Sequence, residues 1–567
     1  MKRLNLYLLT SLTVLLAVLT TTSCSTKLDP LSSNLFTADP SPLELVGTKV
    51  PVTVNGRFPA KWFDKKVTVV VTPVLKYQGG ESLGVSQTYQ GEKVSGNGIV
   101  INQETGGAMV VRTTFDYTPA MKQSELYLRF TASKGGKTLN AIPDVKVADG
   151  VIATSALADA KTVAPAMAPD AFQRIIQETY DADIMFLIQQ AELRSSELNS
   201  SNLDAWKKLV KEADDNTRKN LNVEVAAYAS PDGGLTLNEK LAEKREKNTS
   251  DYLKKEFKKN AIDTEVNAHY TAQDWEGFKK LVEASSLQDK DLVLRVLSMY
   301  SDPVTREREI KNISAVYSDL AETILPKLRR SRLIANIEVI GKTDQELQSA
   351  VASTSGMGGL SVEELLYAAT LNGANKEAIY TYVTEKYSND YRGWNNLGSV
   401  YYAKGQYDKA QRAFARASQI SSRASETNMN LALMSLNEGN ISKAEQLLGN
   451  AAGASTLGDA MGVMYLKKGD YTKAVQAFGE SKSNNAALAQ IMTKNYNKAQ
   501  QTLNAVSAKD ATTYYLMAVV AARTNNASGV AGNLKSAIDK GISARDISTD
   551  IEFSRFLANS DIANMLR

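Results

Sequence analysis

Residues 394–417 read WNNLGSVYYAKGQYDKAQRAFARA, and this stretch decides how the C-terminal part of the chain folds. Trp394, Leu397, Gly398 and Tyr401 fall in one set, Tyr407, Ala410, Phe414 and Ala417 in a second, and Gly405 lies between them. Small residues at this spacing let paired helices approach, and the large ones fill the seam between them. The pattern then recurs. Gly439 lies 34 residues after Gly405, and Ala444 and Leu448 repeat Ala410 and Phe414. Gly462, Tyr465, Gly469, Tyr471, Ala474 and Phe478 make a third copy, whereas Tyr496, Ala499 and Leu503 and the segment from Tyr515 to Ile538 are weaker ones. Because the spacing drops below 34 after Gly439, an irregular array is expected.

This pattern resembles the tetratricopeptide-repeat consensus, whose period is 34 residues. The resemblance implies an all-α solenoid over residues 361–567 that takes a protein partner on its concave surface. Which residues form that surface is not legible. Just upstream, residues 344–360 contain QSAVASTSGMGG, whose composition predicts a flexible linker.

A second informative stretch is NVEVAAYASPDGGLTLNEKLAEKREKN, residues 222–248, which reads as a strand, a turn and a charged helix. It resembles the core of the OmpA-like peptidoglycan-associated domain. In that family a Gly-His-Thr-Asp-x-x-Gly strand end is followed by Asn and by Leu-Ser-x-x-Arg on the next helix. Here Ala227 to Gly233, Asn238 and Leu241 to Arg245 fall in register. The resemblance implies that an acid at position 230 and Arg245 grip the ammonium and carboxylate of a diamino acid in the peptidoglycan stem. Ser230 stands in the acid's place, and a charge-assisted hydrogen bond is about twice as strong as a neutral one. Asp232 is the acid that would replace it. The candidate peptidoglycan pocket is therefore Ser230, Asp232, Asn238 and Arg245, with the basic run Arg329 to Arg332 nearby.

Around that motif the pattern predicts strands at 184–188, 223–228, 266–270 and 333–340, with helices at 204–217 and 238–257. This is the βαβα layout of an OmpA-like α+β domain over residues 170–343. A long helical segment, 274–332, resembles the insertion found in OmpA-like lipoproteins of the Bacteroidota. Residues 153–169, rich in Ala and Pro, read as a linker. Before them, period-two alternation predicts strands within 25–152; Leu126, Leu128 and Phe130 share one face, and Tyr127, Arg129 and Thr131 the other. A β-sandwich is expected there.

At 567 residues the chain is long enough for three or four domains. Lys and Arg number 66 against 62 Asp and Glu, so the basic excess of a general nucleic-acid binder is missing. The Lys-rich run 240–259 is interleaved with Glu and Asp and reads as a solvated helix face. Lys2, Arg3, an apolar run from Leu4 to Leu19 and then Cys24, the single cysteine, are laid out as a secretory signal over residues 1–24. This resembles a bacterial lipoprotein lipidated at Cys24; the alternative is an ordinary signal peptide with an incidental cysteine. Three acyl chains at about 0.8 kcal/mol per buried methylene would hold the mature chain on a membrane.

No catalytic constellation is evident. His269 is the single histidine, so the common zinc sites lack their ligands, and no G-x-S-x-G elbow accompanies it. Gly136-Lys137-Thr138 and Gly341-Lys342-Thr343 lack the first glycine of a phosphate loop, with Thr131 and Asn336 standing there instead. Asp214 and Asp215 read as solvated acids at a helix end. The expectation is a non-enzymatic protein without cofactor or metal: a lipid-anchored scaffold at the outer membrane, on its periplasmic face, that binds protein partners through its repeats. The alternative is a peptidoglycan-associated lipoprotein that tethers the outer membrane to the wall.

Overall fold

The computed structural model describes residues 28–566. Cys24 and the signal segment lie outside the described residues. The chain forms two compact units: one joins the residues up to Pro169 with those from Lys376 onward, and the other is Asp170–Asn375.

The first unit begins β-rich. Lys49–Phe58 pairs antiparallel with Phe36–Asp39 on one side and Gly107–Asp116 on the other. A second sheet has Val67–Tyr77 between Ser124–Lys134 and Gln87–Gly91, with Ile99–Ile101 beyond the latter. Along Ser124–Lys134 the expected alternation holds: Leu126, Leu128 and Phe130 are buried, while on the other face Tyr127 and Arg129 are half-buried and Thr131 is exposed. They share one core with Val52, Val54, Met109 and Val111 of the first sheet. Each fully buried side chain of this size contributes about 1.5–3 kcal/mol, which is what holds the two sheets face to face. On the outer face Arg129 bonds Glu81 through two nitrogens at 2.9 Å and also reaches Asp144.

The repeats of the same unit are antiparallel helix pairs: Tyr391–Ala403 with Tyr407–Ile420, Ser425–Asn437 with Ile441–Gly449, and Leu457–Lys468 with Tyr471–Phe478. Asn484–Met492 with Tyr496–Asn504 and Ala511–Arg523 with Ala527–Asp539 follow. The small residues matter as expected. A Cβ on Gly398 would sit 2.6 Å from the Phe414 ring, and one on Gly462 would sit 2.6 Å from Phe478. Each inter-helix turn carries a residue of positive φ: Gly405, Gly439 and Gly469 in the first three pairs, then Lys494 and Asn525 in the two degenerate ones. From the second pair on, the next residue caps the second helix, Asn440, Asp470, Asn495 and Asn526 each accepting a backbone N–H.

The 153–169 stretch departs from the linker expected of it. Ala158, Ala160, Val163, Ala166 and Ala168 are buried, and the first four belong to the hydrophobic core of the repeats. Composition misleads here because methyl groups bury little area, so the order comes from backbone hydrogen bonds that composition does not reveal.

The second unit is built on a four-stranded sheet in the order Ile175–Met185, Arg330–Ile340, Lys219–Tyr228, Val266–Thr271. The last two strands are parallel and the other neighbours antiparallel. The helix Ser201–Asp214 buries Leu203, Trp206, Val210 and Ala213, with the Ser200 hydroxyl accepting from the Leu203 N–H at its start. Together with Leu253 and Phe257 of the helix Leu235–Lys259 they cover the sheet face carrying Val223, Val225, Leu333 and Ala335. The opposite face is polar: Arg332 bonds Asp181, Gln177 bonds Glu338, and Thr179 bonds Asn336. The first strand starts at Ile175, nine residues before the predicted start at 184. It is an edge strand with few buried side chains, so its pairing leaves no hydrophobic pattern to read. The 274–332 segment holds four helices, Trp275–Glu283, Lys290–Met299, Pro303–Asn312 and Ser314–Thr323, with a core of their own around Phe278, Val282, Val293 and Leu320.

Residues 344–360 are also ordered, contrary to expectation. Asp344–Val351 is a helix opened by a capping box between Thr343 and Glu346, and Leu347, Met357 and Leu360 are buried. The capping pair Thr343 and Glu346 stands in the sequence as a helix-start signal that the linker expectation left out.

Candidate functional site

Three asparagines on the first helices of the repeats define the most elaborate polar cluster of the first unit. Asn396 accepts from the Ala168 N–H at 2.7 Å and donates to the Ala168 carbonyl at 2.9 Å. Asn430 does the same with Ala166 at 2.7 and 2.8 Å, and Asn485 with Asp159 at 3.0 and 2.8 Å. Each side-chain amide thus pairs with one residue's N–H and C=O as a neighbouring β-strand would, and holds the backbone whatever its side chain is. Asn395 and Ser399 add donors to the Ala166 carbonyl at 3.0 and 3.1 Å. The Tyr402 hydroxyl donates to Ala160 O at 2.7 Å, and Thr456 to Ala164 O at 2.7 Å. Burial pushes the Tyr402 hydroxyl up, so it stays a donor at any ordinary pH.

The 153–169 segment therefore runs along the inner helices from the last repeats towards the first. Asn485 meets it at Asp159, Thr456 at Ala164, Asn430 at Ala166 and Asn396 at Ala168. Only small side chains point into the array at its tightest places, and Pro165 and Pro169 favour an extended path for the residues before them. Lys161 and Thr162 are exposed, with the Lys161 ammonium 5.4 Å from the centre of the Tyr407 ring.

These asparagines were missed in the sequence, although a signal existed. Asn396, Asn430 and Asn485 each stand nine residues before the positive-φ residue of their repeat, at Gly405, Gly439 and Lys494. Asparagine is a poor helix-interior residue, so its return at the repeat period marks a position kept for its side-chain amide. In the third repeat the equivalent position is Ala460, and the Thr456 hydroxyl serves instead.

Below the last repeats the β-rich region is fastened to the same helices. Arg523 bonds Glu552 through Nε and Nη2 at 2.9 Å and reaches Glu44 at 3.2 Å. Burial alone would lower the guanidinium, but Glu552 and Glu44 hold it well above its usual value. Thr154 donates to Glu552 at 2.7 Å, and Ser155 and Tyr471 both donate to the Leu45 carbonyl. A cavity of about 570 Å³ lies beside this junction, with Val151, Leu157, Tyr515, Ile547 and Asp550 in its walls.

In the second unit the residues expected to form a peptidoglycan pocket do gather around one turn. Arg245 is fully buried. Its Nε, Nη1 and Nη2 donate to the carbonyls of Gln190, Tyr228 and Leu187 at 2.9, 2.9 and 3.2 Å, and it lies 4.9 Å from the Phe186 ring centre. Desolvation, and behind it the charge of Arg329, lower this guanidinium to about 10. Asn238 donates to the carbonyls of Ser230 and Gly233 and so staples the turn. The Ser230 hydroxyl bonds Asp232, and Arg329 pairs with Asp232 at 3.3 Å. Arg330, behind them, pairs with Asp274 at 3.1 Å and lies over the Tyr228 ring. As the unit stands, these groups satisfy one another and the turn's own backbone.

The other sequence candidates fall in ordinary settings. His269 is exposed on the edge strand, 3.1 Å from Glu224. The first Gly-Lys-Thr triplet follows a hairpin turn at Gly135 and Gly136, and in the second Lys342 pairs with Glu364 while Thr343 caps a helix. Asp215 pairs with Lys211, and Asp214 accepts the Asp263 N–H. Among the described residues no helix is long and apolar enough to cross a membrane.

The helix pairs point to a class: residues 391–423 match the tetratricopeptide repeat family, and the helix pairs that follow resemble that repeat. No curated protein matches the chain. Among solved structures, a tetratricopeptide repeat protein from Parabacteroides merdae is 14% identical over 49% of this chain and 99% of its own, with a TM-score of 0.26. PilF from Pseudomonas aeruginosa is 14% identical over 39% of this chain and 98% of its own, with a TM-score of 0.26. Yeast Tom70 is 11% identical over 59% of this chain and 77% of its own, with a TM-score of 0.25. Superpositions this loose carry no argument beyond the family match.

Proposed function

We propose that the chain is a non-enzymatic scaffold of the bacterial cell envelope, lipid-anchored through Cys24 at the outer membrane on its periplasmic face, that binds protein partners through its tetratricopeptide repeats. The single observation that carries partner binding is the row of asparagines at equivalent positions of the repeats, each paired with the backbone of the 158–168 segment. Such an array is built to hold polypeptide. The anchor rests on the sequence alone, on the charged start, the apolar run and the lone Cys24. Fractionation tests it: the wild-type chain sediments with outer membranes and Cys24→Ser is released, whereas release of the wild type would sink the anchor.

We read residues 170–343 of the second unit as an OmpA-like domain. Supporting this are its mixed sheet with helices on one face and the spacing of Asn238 and Arg245 after the turn. The wall-tether alternative needs Arg245 and an acid to face a ligand, but Arg245 is bonded to three carbonyls and Asp232 to Arg329. The scaffold is therefore the better supported role. Co-sedimentation with purified sacculi separates the two: the scaffold reading expects the protein to stay in the supernatant, and specific pelleting would favour the tether.

A further inference from the structure

We propose that the 158–168 segment is a resident ligand of the repeat groove, and that the same groove accepts in its place a segment of a partner protein with small side chains where Ala160, Ala166 and Ala168 now lie. This deepens the scaffold reading and rests on it. Three observations support exchange over permanent burial. First, the contacts are to main chain: Asn396, Asn430 and Asn485 pair with the N–H and C=O of single residues, and Tyr402 and Thr456 donate to carbonyls. Recognition of that kind is indifferent to sequence except where bulk is excluded.

Second, part of the lining is polar. Asn395, Asn396, Ser399, Thr427 and Asn430 are all buried, and when the segment leaves they exchange protein hydrogen bonds for water at small net cost. The cost of leaving lies in the hydrocarbon that Ala158, Ala160, Val163 and Ala166 now cover in the core of the repeats. Three donors converge on the one Ala166 carbonyl, more than its two lone pairs accept ideally, which leaves donors to spare for a different acceptor. Third, the inward side chains are Ala160, Val163, Ala166 and Ala168. The three alanine methyls give up little burial on leaving, and Val163 is the one larger side chain among them. The segment competes in cis at the high effective concentration of a tethered ligand, so an incoming strand succeeds only when presented locally or in several copies.

The partner's chemistry follows from these contacts: an extended stretch rich in Ala, Thr and Pro, with an unblocked N–H and C=O where Ala166 and Ala168 now pair, and no large or charged side chain at either place. The test uses the purified full chain and a fluorescein-labelled peptide LADAKTVAPAMAPD, the sequence of residues 157–170. Ala166→Glu with Ala168→Glu in the chain puts two charges into the buried row and expels the segment. That variant is expected to bind the peptide at least tenfold tighter than wild type, and addition of Asn430→Ala is expected to abolish the gain. Equal binding by wild type and variant, with the helical circular dichroism of the variant intact, overturns the proposal. So does a gain that survives Asn430→Ala.

If the double variant does not fold, the wild type decides by amide exchange. Exchange of Ala166 and Ala168 ahead of the repeat helices supports a segment that leaves on its own, and exchange only with global unfolding overturns it. A partner captured in cells that binds wild type and segment variants alike leaves the scaffold reading standing and removes this one.

Discussion

The groove asparagines and the Arg245 cluster use the same device, buried side-chain donors aimed at backbone carbonyls, and they differ in what they hold. Arg245 joins Tyr228, Leu187 and Gln190, so its three bonds fasten a strand end and its neighbouring loop inside one sheet domain. Asn396 and Asn430 reach Ala168 and Ala166 across a sequence separation that includes the whole second unit. The first cluster is part of the fold of its unit and has nothing to release. The second grips a length of chain whose departure would leave the helix pairs with the rest of the core they share. A charge is also involved in only one of them. The buried guanidinium has no carboxylate in ion-pair contact among the described residues, so carbonyl dipoles, the Phe186 ring and the more distant charge of Asp232 offset its desolvation, whereas the asparagine pairs are neutral and reciprocal.

That contrast sets an order of expected effects. Arg245→Ala takes the side-chain donor from the carbonyls of Gln190, Tyr228 and Leu187, the last of which keeps the Gln190 N–H, and at about 1–3 kcal/mol for each group left unsatisfied the second unit loses about 2 kcal/mol or more. Urea unfolding followed by deuterium uptake on the Lys219–Tyr228 strand reads this, and a loss under 1 kcal/mol would mean that the cluster is not structural. Asn430→Ala removes the partner of the Ala166 N–H and costs about 1–3 kcal/mol, felt locally. Amides of residues 158–168 should exchange faster while those of Ser425–Asn437 keep their protection; equal loosening of both would erase the distinction between the clusters. The smallest effect belongs to the turn below Asn485. Lys494 sits at φ +62, a conformation that costs a side-chain-bearing residue about 1–2 kcal/mol, so Lys494→Gly should stabilise the fourth helix pair by about 1 kcal/mol in thermal unfolding.

Much of the architecture was legible, for physical reasons that differ by region. The repeats announced themselves because Gly398, Gly462 and the positive-φ glycines are dictated by close helix contact and tight turns, which leave a periodic mark. The strand Ser124–Lys134 was legible because one of its faces meets a core. Residues 153–169 and 344–360 were misread together, from the same rule that Ala, Pro, Ser and Gly mean a flexible connector. The first is ordered by partners far away in sequence, which no local composition encodes, and the second by the Thr343 and Glu346 capping box and three buried apolar side chains. In the turn after Tyr228, spacing correctly gathered Ser230, Asp232, Asn238 and Arg245. Spacing did not disclose that their donors and acceptors face one another and the backbone.

Amide hydrogen exchange across residues 153–170 of the full chain tests most directly whether the repeat groove holds its own segment. The N–H groups of Asp159, Ala166 and Ala168, each bonded to an asparagine side chain, should exchange at least a hundredfold more slowly than in the isolated peptide, with exposed Lys161 and Thr162 faster than these three. Exchange of all of them at the free-peptide rate would mean a mobile connector and an empty groove, and would contradict the reading of this protein as a scaffold that carries its own ligand.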